Sequence, residues 1–163
     1  MKNNISIDIA SIQEEAKLEV LRVSDVEHVI ESKKDNDDGI EVWMEFYGDG
    51  VFTVDMKASE FIIDYEHQYV LVRVPRPELT NCRITQANQL FWQNGICNKS
   101  ISVGIDKAVN MRNEGYKKLK NYMKSNTKFY KSAKTSAQII ISDLVRKLNP
   151  GQTSLVVEVE FVD

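Results

Sequence analysis

"VLVRVPRPEL", residues 70–79, changes character halfway. Val70, Leu71, Val72 and Val74 form a strand-like apolar run, and Pro75 and Pro77 then stop it. Neither proline can donate to a β ladder, and each pushes its predecessor, Val74 or Arg76, out of helical space. Pairing therefore ends there and the exit stays extended. The same corner could also present Arg73 or Arg76 rigidly to a ligand. A strand ended so hard implies a sheet, and the flanking sequence supplies the other strands.

Upstream, Asp35 to Gly39 is turn chemistry, after which Ile40, Val42, Met44 and Phe46 alternate with Glu41, Trp43 and Glu45. This predicts a half-buried strand. "YGDGVFTVDM" adds a Gly-Asp-Gly turn signal and a second alternating run, Val51 to Met56, so a hairpin is expected here. Between Glu19 and Ser32 the β-branched Val20, Val23, Val26, Val29 and Ile30 favour a strand, although their spacing also permits helix. Before it, Ser11 with Glu14 reads as a capping box opening a short helix over 12–17.

Downstream, "NCRITQANQLFWQNGICNKSISVG" is open to strand, hairpin or connector, with Asn94-Gly95 suited to a tight turn. From Ile105 to Leu148 the period lengthens: Leu119, Met123, Ala133, Ala137, Ile141 and Leu144 recur every three or four residues, which predicts helix. Ser125, Asn126 and Thr127 are weak helix formers and predict a break or bend, giving either a hairpin or one long bent helix. After Pro150-Gly151, the alternation of "TSLVVEVEFV" predicts a last strand over 153–162 that rejoins the sheet. Strands, then helices, then a strand indicate an α+β domain with a mainly antiparallel sheet.

At 163 residues, with 42% hydrophobic and 28% charged residues, the chain suits one domain able to bury its own core. No apolar run approaches the ~18 residues that cross a bilayer, and "MKNNISIDIASIQEE" has no signal-peptide character. A soluble chain is expected, cytoplasmic unless an anchor precedes it. Cys82 and Cys97 are too few for a zinc site and leave two readings, free thiols or a disulfide.

The succession "GDGVFTVDMKASEF", "YVLVRVPRPEL", "SAKTSAQIIISDLVRKL" and "SLVVEVEF" resembles the bacterial family called domain of unknown function 4230, over roughly Ile12 to Phe161. The matching positions are Gly50 and Asp55, then Pro75, Pro77 and Glu78, then Ala133 and Ala137. The resemblance implies a fold and no catalytic residues. It also implies work near a membrane, because members commonly carry an N-terminal anchor; this sequence departs from them there.

Charge is sharply divided. Residues 1–66 hold 17 acids against 6 bases, whereas residues 107–147 hold 11 bases against 2 acids. On a continuous helix Lys117, Lys120, Lys124, Lys128, Lys131 and Lys134 share one sector beside the apolar one, a stripe of about 25 Å at ~1.5 Å per residue. Such a stripe is either a solvated face or an anion-binding surface for lipid headgroups or, less favoured, nucleic acid. The interleaved Tyr116, Tyr122, Phe129 and Tyr130 are expected mostly in the core.

Catalytic signals are sparse: His28 and His67 have no nucleophile motif beside them, and no glycine-rich phosphate loop or Gly-x-Ser-x-Gly elbow occurs. Asp35, Asp37 and Asp38 suggest an EF-hand until Gly39 falls one position early and Phe46 takes the place of its final acid. Asp64 and Glu66 are expected side by side at a strand start, exposed. The expectation is a non-catalytic protein-interaction or scaffold domain without cofactor or metal, engaging a protein partner or a second copy. Anion binding by the lysines is the alternative, and an enzyme the third reading.

Overall fold

The computed structural model describes residues 17–31, 41–93 and 100–163. In chain order these form β1 (Leu18–Glu31), β2 (Glu41–Val54), a 3-10 turn (Met56–Ala58), β3 (Glu60–Asp64), β4 (Tyr69–Pro75) and β5 (Glu78–Gln93). Two helices follow, α1 (Ser100–Ser125) and α2 (Thr127–Lys147), and then β6 (Val156–Val162). The strands make two sheets, β1-β2-β5 and β3-β4-β6. The fold is α+β, and the last strand rejoins a sheet.

Two corners carry the chain between the sheets. At the first, Asp55 leaves β2 and accepts the Lys57 N–H at 3.0 Å, capping the 3-10 turn that leads into β3. At the second, Pro75 closes β4 and β5 begins three residues later at Glu78, with Pro77 buried between. The prolines thus end one ladder, as expected, while their fixed φ aims the chain into the other sheet.

The expected hairpin at Gly48-Asp49-Gly50 is not formed: β2 runs unbroken through all three residues. Gly48 serves close approach rather than a turn. A Cβ on Gly48 would lie 2.6 Å from the Arg83 carbonyl oxygen and nearer still to the Leu119 side chain. Asp49 holds the neighbouring strands instead, accepting the Asp25 N–H at 3.2 Å and Arg83 Nη2 at 3.1 Å. Asp25 itself sits at φ 55, a left-handed kink inside β1. Along β2 the cross-strand partners fall from Asn88 for Glu45, through Arg83 for Asp49, to Thr80 for Thr53, so β2 and β5 run antiparallel.

"KASEFIID" proved to be the 3-10 turn plus β3, and the stretch left open after Asn81 continues β5 as far as Gln93. The expected capping-box helix falls on residues 12–16, outside the described residues, and Lys17 lies in a bend. The turn at Asp35–Gly39, the Asn94-Gly95 pair and Cys97 also lie outside them. Cys82 is a free, buried thiol 3.9 Å from Met123 Sδ, and burial pushes its pKa up.

Two compact units share these elements. One comprises Val23–Gly50 and Asn81–Asn126. Here α1 presents a buried seam of Met111, Gly115, Leu119 and Met123, spaced by four, and the missing side chain of Gly115 admits the Phe46 ring of β2. Phe46 and Met44 are fully buried as a result. Ser125 Oγ donates to the Tyr122 carbonyl, and the Asn126 N–H donates to the Met123 carbonyl at 3.3 Å, ending α1 where the weak helix formers stand.

The other unit takes the chain up to Arg22, Val51–Thr80 and Thr127–Asp163. Its sheet is mixed: β3 pairs antiparallel to β4, and β6 pairs parallel to β4 from Tyr69↔Val156 to Pro75↔Val162. Val70, Val72 and Val74 are fully buried, each contributing about 1.5–3 kcal/mol by burial. The α2 seam is Ala133, Ala137, Ile141 and Val145, and α2 packs on β6. Its small residues let the helix lie close. Buried Asn149 finishes the helix, its side-chain amide donating to the Val145 carbonyl at 2.8 Å.

Candidate functional site

The six lysines are carried by two helices. Lys117, Lys120 and Lys124 lie on α1, and Lys128, Lys131 and Lys134 on α2, with the break at Asn126 dividing them between the two units. Lys120 Nζ stands 5.8 Å above the Tyr116 ring. Lys134 is half-buried between two aromatic faces, 5.5 Å from Tyr130 and 5.2 Å from Phe161, so its charge is turned towards the packed side of α2. Lys128 and Lys131 border an open groove of about 530 Å³ with Ser132, Thr135, Ser136 and Ile139. Two of its hydroxyls are already committed: Thr135 donates to the Lys131 carbonyl and Ser136 to the Val20 carbonyl.

Tyr116 and Tyr122, expected in the core, are 40% and 38% exposed. They lie just off the seam of α1, where a one-residue step turns a side chain about 100°. Tyr122 instead stacks on His28 with ring centroids 4.8 Å apart. Burial, and secondarily Lys118, holds the His28 pKa below its ordinary value.

The acids near the second histidine cap a turn. Asp64 ends β3, and its Oδ1 accepts the N–H groups of Glu66 and His67 at 3.0 and 3.1 Å while its Oδ2 meets His67 Nδ1 at 2.7 Å. The His67 side-chain bond is the main cause that lowers the Asp64 pKa. Glu66 therefore lies in the β3–β4 turn, not beside Asp64 on a strand, and Gln68 at φ 51 closes it.

A carboxylate pair that the sequence concealed lies across β1 and β2. The bond to Glu45 raises the Glu27 pKa, whereas the Tyr47 hydroxyl, donating at 2.9 Å, is the first cause that lowers that of Glu45. No local sequence pattern supplies the register that joins them. Among the described residues no group of three or more His, Cys, Asp and Glu is placed to hold a metal ion. The two sheet-switching corners meet at a cleft of about 320 Å³ lined by Thr53, Asp55, Pro75, Arg76, Glu78 and Thr80. There Arg76 pairs with Asp163, and the Thr53 and Thr80 hydroxyls lie 3.2 Å apart.

The outer face of β3-β4-β6 is an exposed, regular surface. Register places its side chains in rows: Asp64, Tyr69 and Val156; Ile62, Leu71 and Glu158; Glu60, Arg73 and Glu160; then Pro75 and Val162. Ile62, Val156 and Val162 are 40%, 54% and 40% exposed, and Tyr69, Leu71 and Pro75 are half-buried. Arg73 reaches Glu160 at 2.9 Å and Glu60 at 3.7 Å, and the Tyr69 hydroxyl donates to Glu158 at 2.5 Å. Arg73 thus holds a charge ladder across the sheet. No family model, curated protein or solved structure matches the chain. No helix among the described residues is long and apolar enough to cross a membrane.

Proposed function

We propose that the chain is a non-catalytic protein-interaction domain whose recognition surface is the outer face of β3-β4-β6. The observation that carries this reading is the exposure of Ile62, Val156 and Val162 beside half-buried Tyr69, Leu71 and Pro75 on one regular sheet face. An open sheet face is normally polar on its solvent side. Strands of five, seven and seven residues offer about 300 Å² at ~3.3 Å rise and ~4.8 Å spacing. That is well under the roughly 800 Å² per partner of a standard interface, which favours a transient partner over an obligate dimer. The resemblance of the motif order to domain of unknown function 4230 belongs to the same proposal, and with it work beside a membrane.

A second reading rests on Lys117, Lys124 and Lys131, which have no ion pair among the described residues. They suit an anionic lipid surface or nucleic acid. Their division between two helices makes this the weaker reading. One experiment separates the two: chemical cross-linking in an extract of source cells, with binding to anionic vesicles and duplex DNA measured across a salt series. Wild type is compared with Ile62→Lys/Val156→Glu and with glutamate at all six lysines. A protein partner kept by the lysine variant and lost by the sheet-face variant supports the proposal. Salt-sensitive binding to vesicles or DNA that only the lysine variant loses transfers the function to the helices.

A further inference from the structure

The parallel pairing of β6 fixes what its free side presents. The Val156 N–H donates to the Gln68 carbonyl at 2.9 Å, so Val156 turns its backbone groups towards β4. Backbone groups point to alternate sides along a strand. Glu158, Glu160 and Val162 therefore also face β4, and the N–H and C=O groups of Val157, Val159 and Phe161 face outward. β6 ends its sheet, and among the described residues no strand pairs with that side.

Edges are commonly protected by proline, lysine or a bulge. Val156–Val162 contains no proline, lysine or glycine, and its seven pairs with β4 continue without interruption. The charges it does carry are Glu158 and Glu160, both exposed on the outer face. Glu158 is bound by the uncharged Tyr69 hydroxyl, while Glu160 shares Arg73 with Glu60, two acids to one arginine. Negative charge is left over at the edge.

We propose that the outer edge of β6 takes up an extended peptide segment with Lys or Arg at two alternate positions and β-branched residues between them. This rests on the reading of β3-β4-β6 as the interaction surface and adds the kind of partner. Ladder bonds to Val157, Val159 and Phe161 supply register, as in strand addition generally. The alternate basic side chains stand beside Glu158 and Glu160 on the outer face, where opposite charges across strands stabilise. The intervening side chains fall on the side of Phe161 and Lys134, whose charge opposes a basic residue there. A second copy is a poor occupant: antiparallel β6 strands centred on Val159 would set Glu158 against Glu160 twice.

The test uses the full chain with two acetylated, amidated peptides, Thr-Val-Lys-Val-Lys-Val-Thr and its counterpart with Glu for both Lys. Fluorescence anisotropy reads affinity, amide hydrogen exchange by NMR reads the bonded groups, and sedimentation velocity reads self-association. The Lys peptide should bind at least ~10-fold more tightly than the Glu peptide. It should slow exchange of the Val157, Val159 and Phe161 amides, whereas those of Glu158 and Glu160 are protected beforehand. Glu158→Lys with Glu160→Lys should reverse the peptide order. Equal affinities, no binding, protection elsewhere or a stable β6-paired dimer overturns the proposal. If the peptides fail while a cross-linked partner still depends on Ile62 and Val156, the sheet face stands without its edge. If both fail, both readings fall.

Discussion

At the scale of single residues, several side chains are fixed by one close neighbour. His28 stacks on Tyr122, with burial and Lys118 both opposing its protonation, so its folded pKa lies below the 6.5 of the free side chain. The unfolded chain then takes up this proton at a pH where the folded chain still resists it. Stability contributed by neutral His28 is complete above about pH 7 and falls as pH drops through ~6.5, levelling once the folded group also protonates. His28→Phe keeps a ring against Tyr122 and cannot titrate. Urea midpoints of wild type and variant from pH 5 to 8 should therefore diverge towards the acid end; parallel curves would show that His28 protonates equally in both states. Gly115 and Gly48 illustrate a different constraint, absence of a side chain where Phe46 or the Arg83 carbonyl must pass.

At the scale of elements, β2 is the sharpest test, because a hairpin and a continuous strand respond oppositely to insertion. One residue added after Asp49 would lengthen a loop harmlessly, but in a strand it moves every later side chain to the other face. Phe52 and Val54, 2% and 0% exposed, would be turned outward, at roughly 1.5–3 kcal/mol each. Out of a typical ~5–15 kcal/mol, that predicts a largely unfolded variant at 37 °C by circular dichroism; a folded variant would restore the hairpin. Alternation made β4 and β6 legible, β-branched content favoured β1 while leaving helix open, and the four-residue spacing of Leu119 with Met123 and of Ala133 with Ala137 made the helices legible. Gly-Asp-Gly misled because a glycine that admits Leu119 and one that turns a chain look alike in sequence. β3 was missed for a related reason: a capped 3-10 turn hides its start. For the candidate site, the six lysines were legible as positions, and the weak helix formers Ser125, Asn126 and Thr127 foretold the break that puts three on each helix. The rows of the outer sheet face depend on pairing between residues as far apart as Arg73 and Glu160, which no local pattern encodes.

At the scale of the whole molecule, chain order dominates. Each compact unit is assembled from separated segments, and β1, β2 and β5 each cross the boundary between them. The β4–β6 ladder joins residues 87 positions apart. Such non-local pairing predicts refolding in milliseconds to seconds rather than microseconds. Stopped-flow fluorescence from urea would check this, and a microsecond phase carrying the full amplitude would contradict it. The same ladder sets a clock during synthesis. A ribosome adding ~5–20 residues per second needs roughly 4–17 s to pass from Arg73 to Glu160. Throughout that interval β3 can pair with one side of β4, while the other side stands open as a nascent, apolar edge. The cell must shield Val70, Val72 and Val74 from neighbouring nascent chains for seconds, so translation speed and chaperone supply become determinants of yield for this fold.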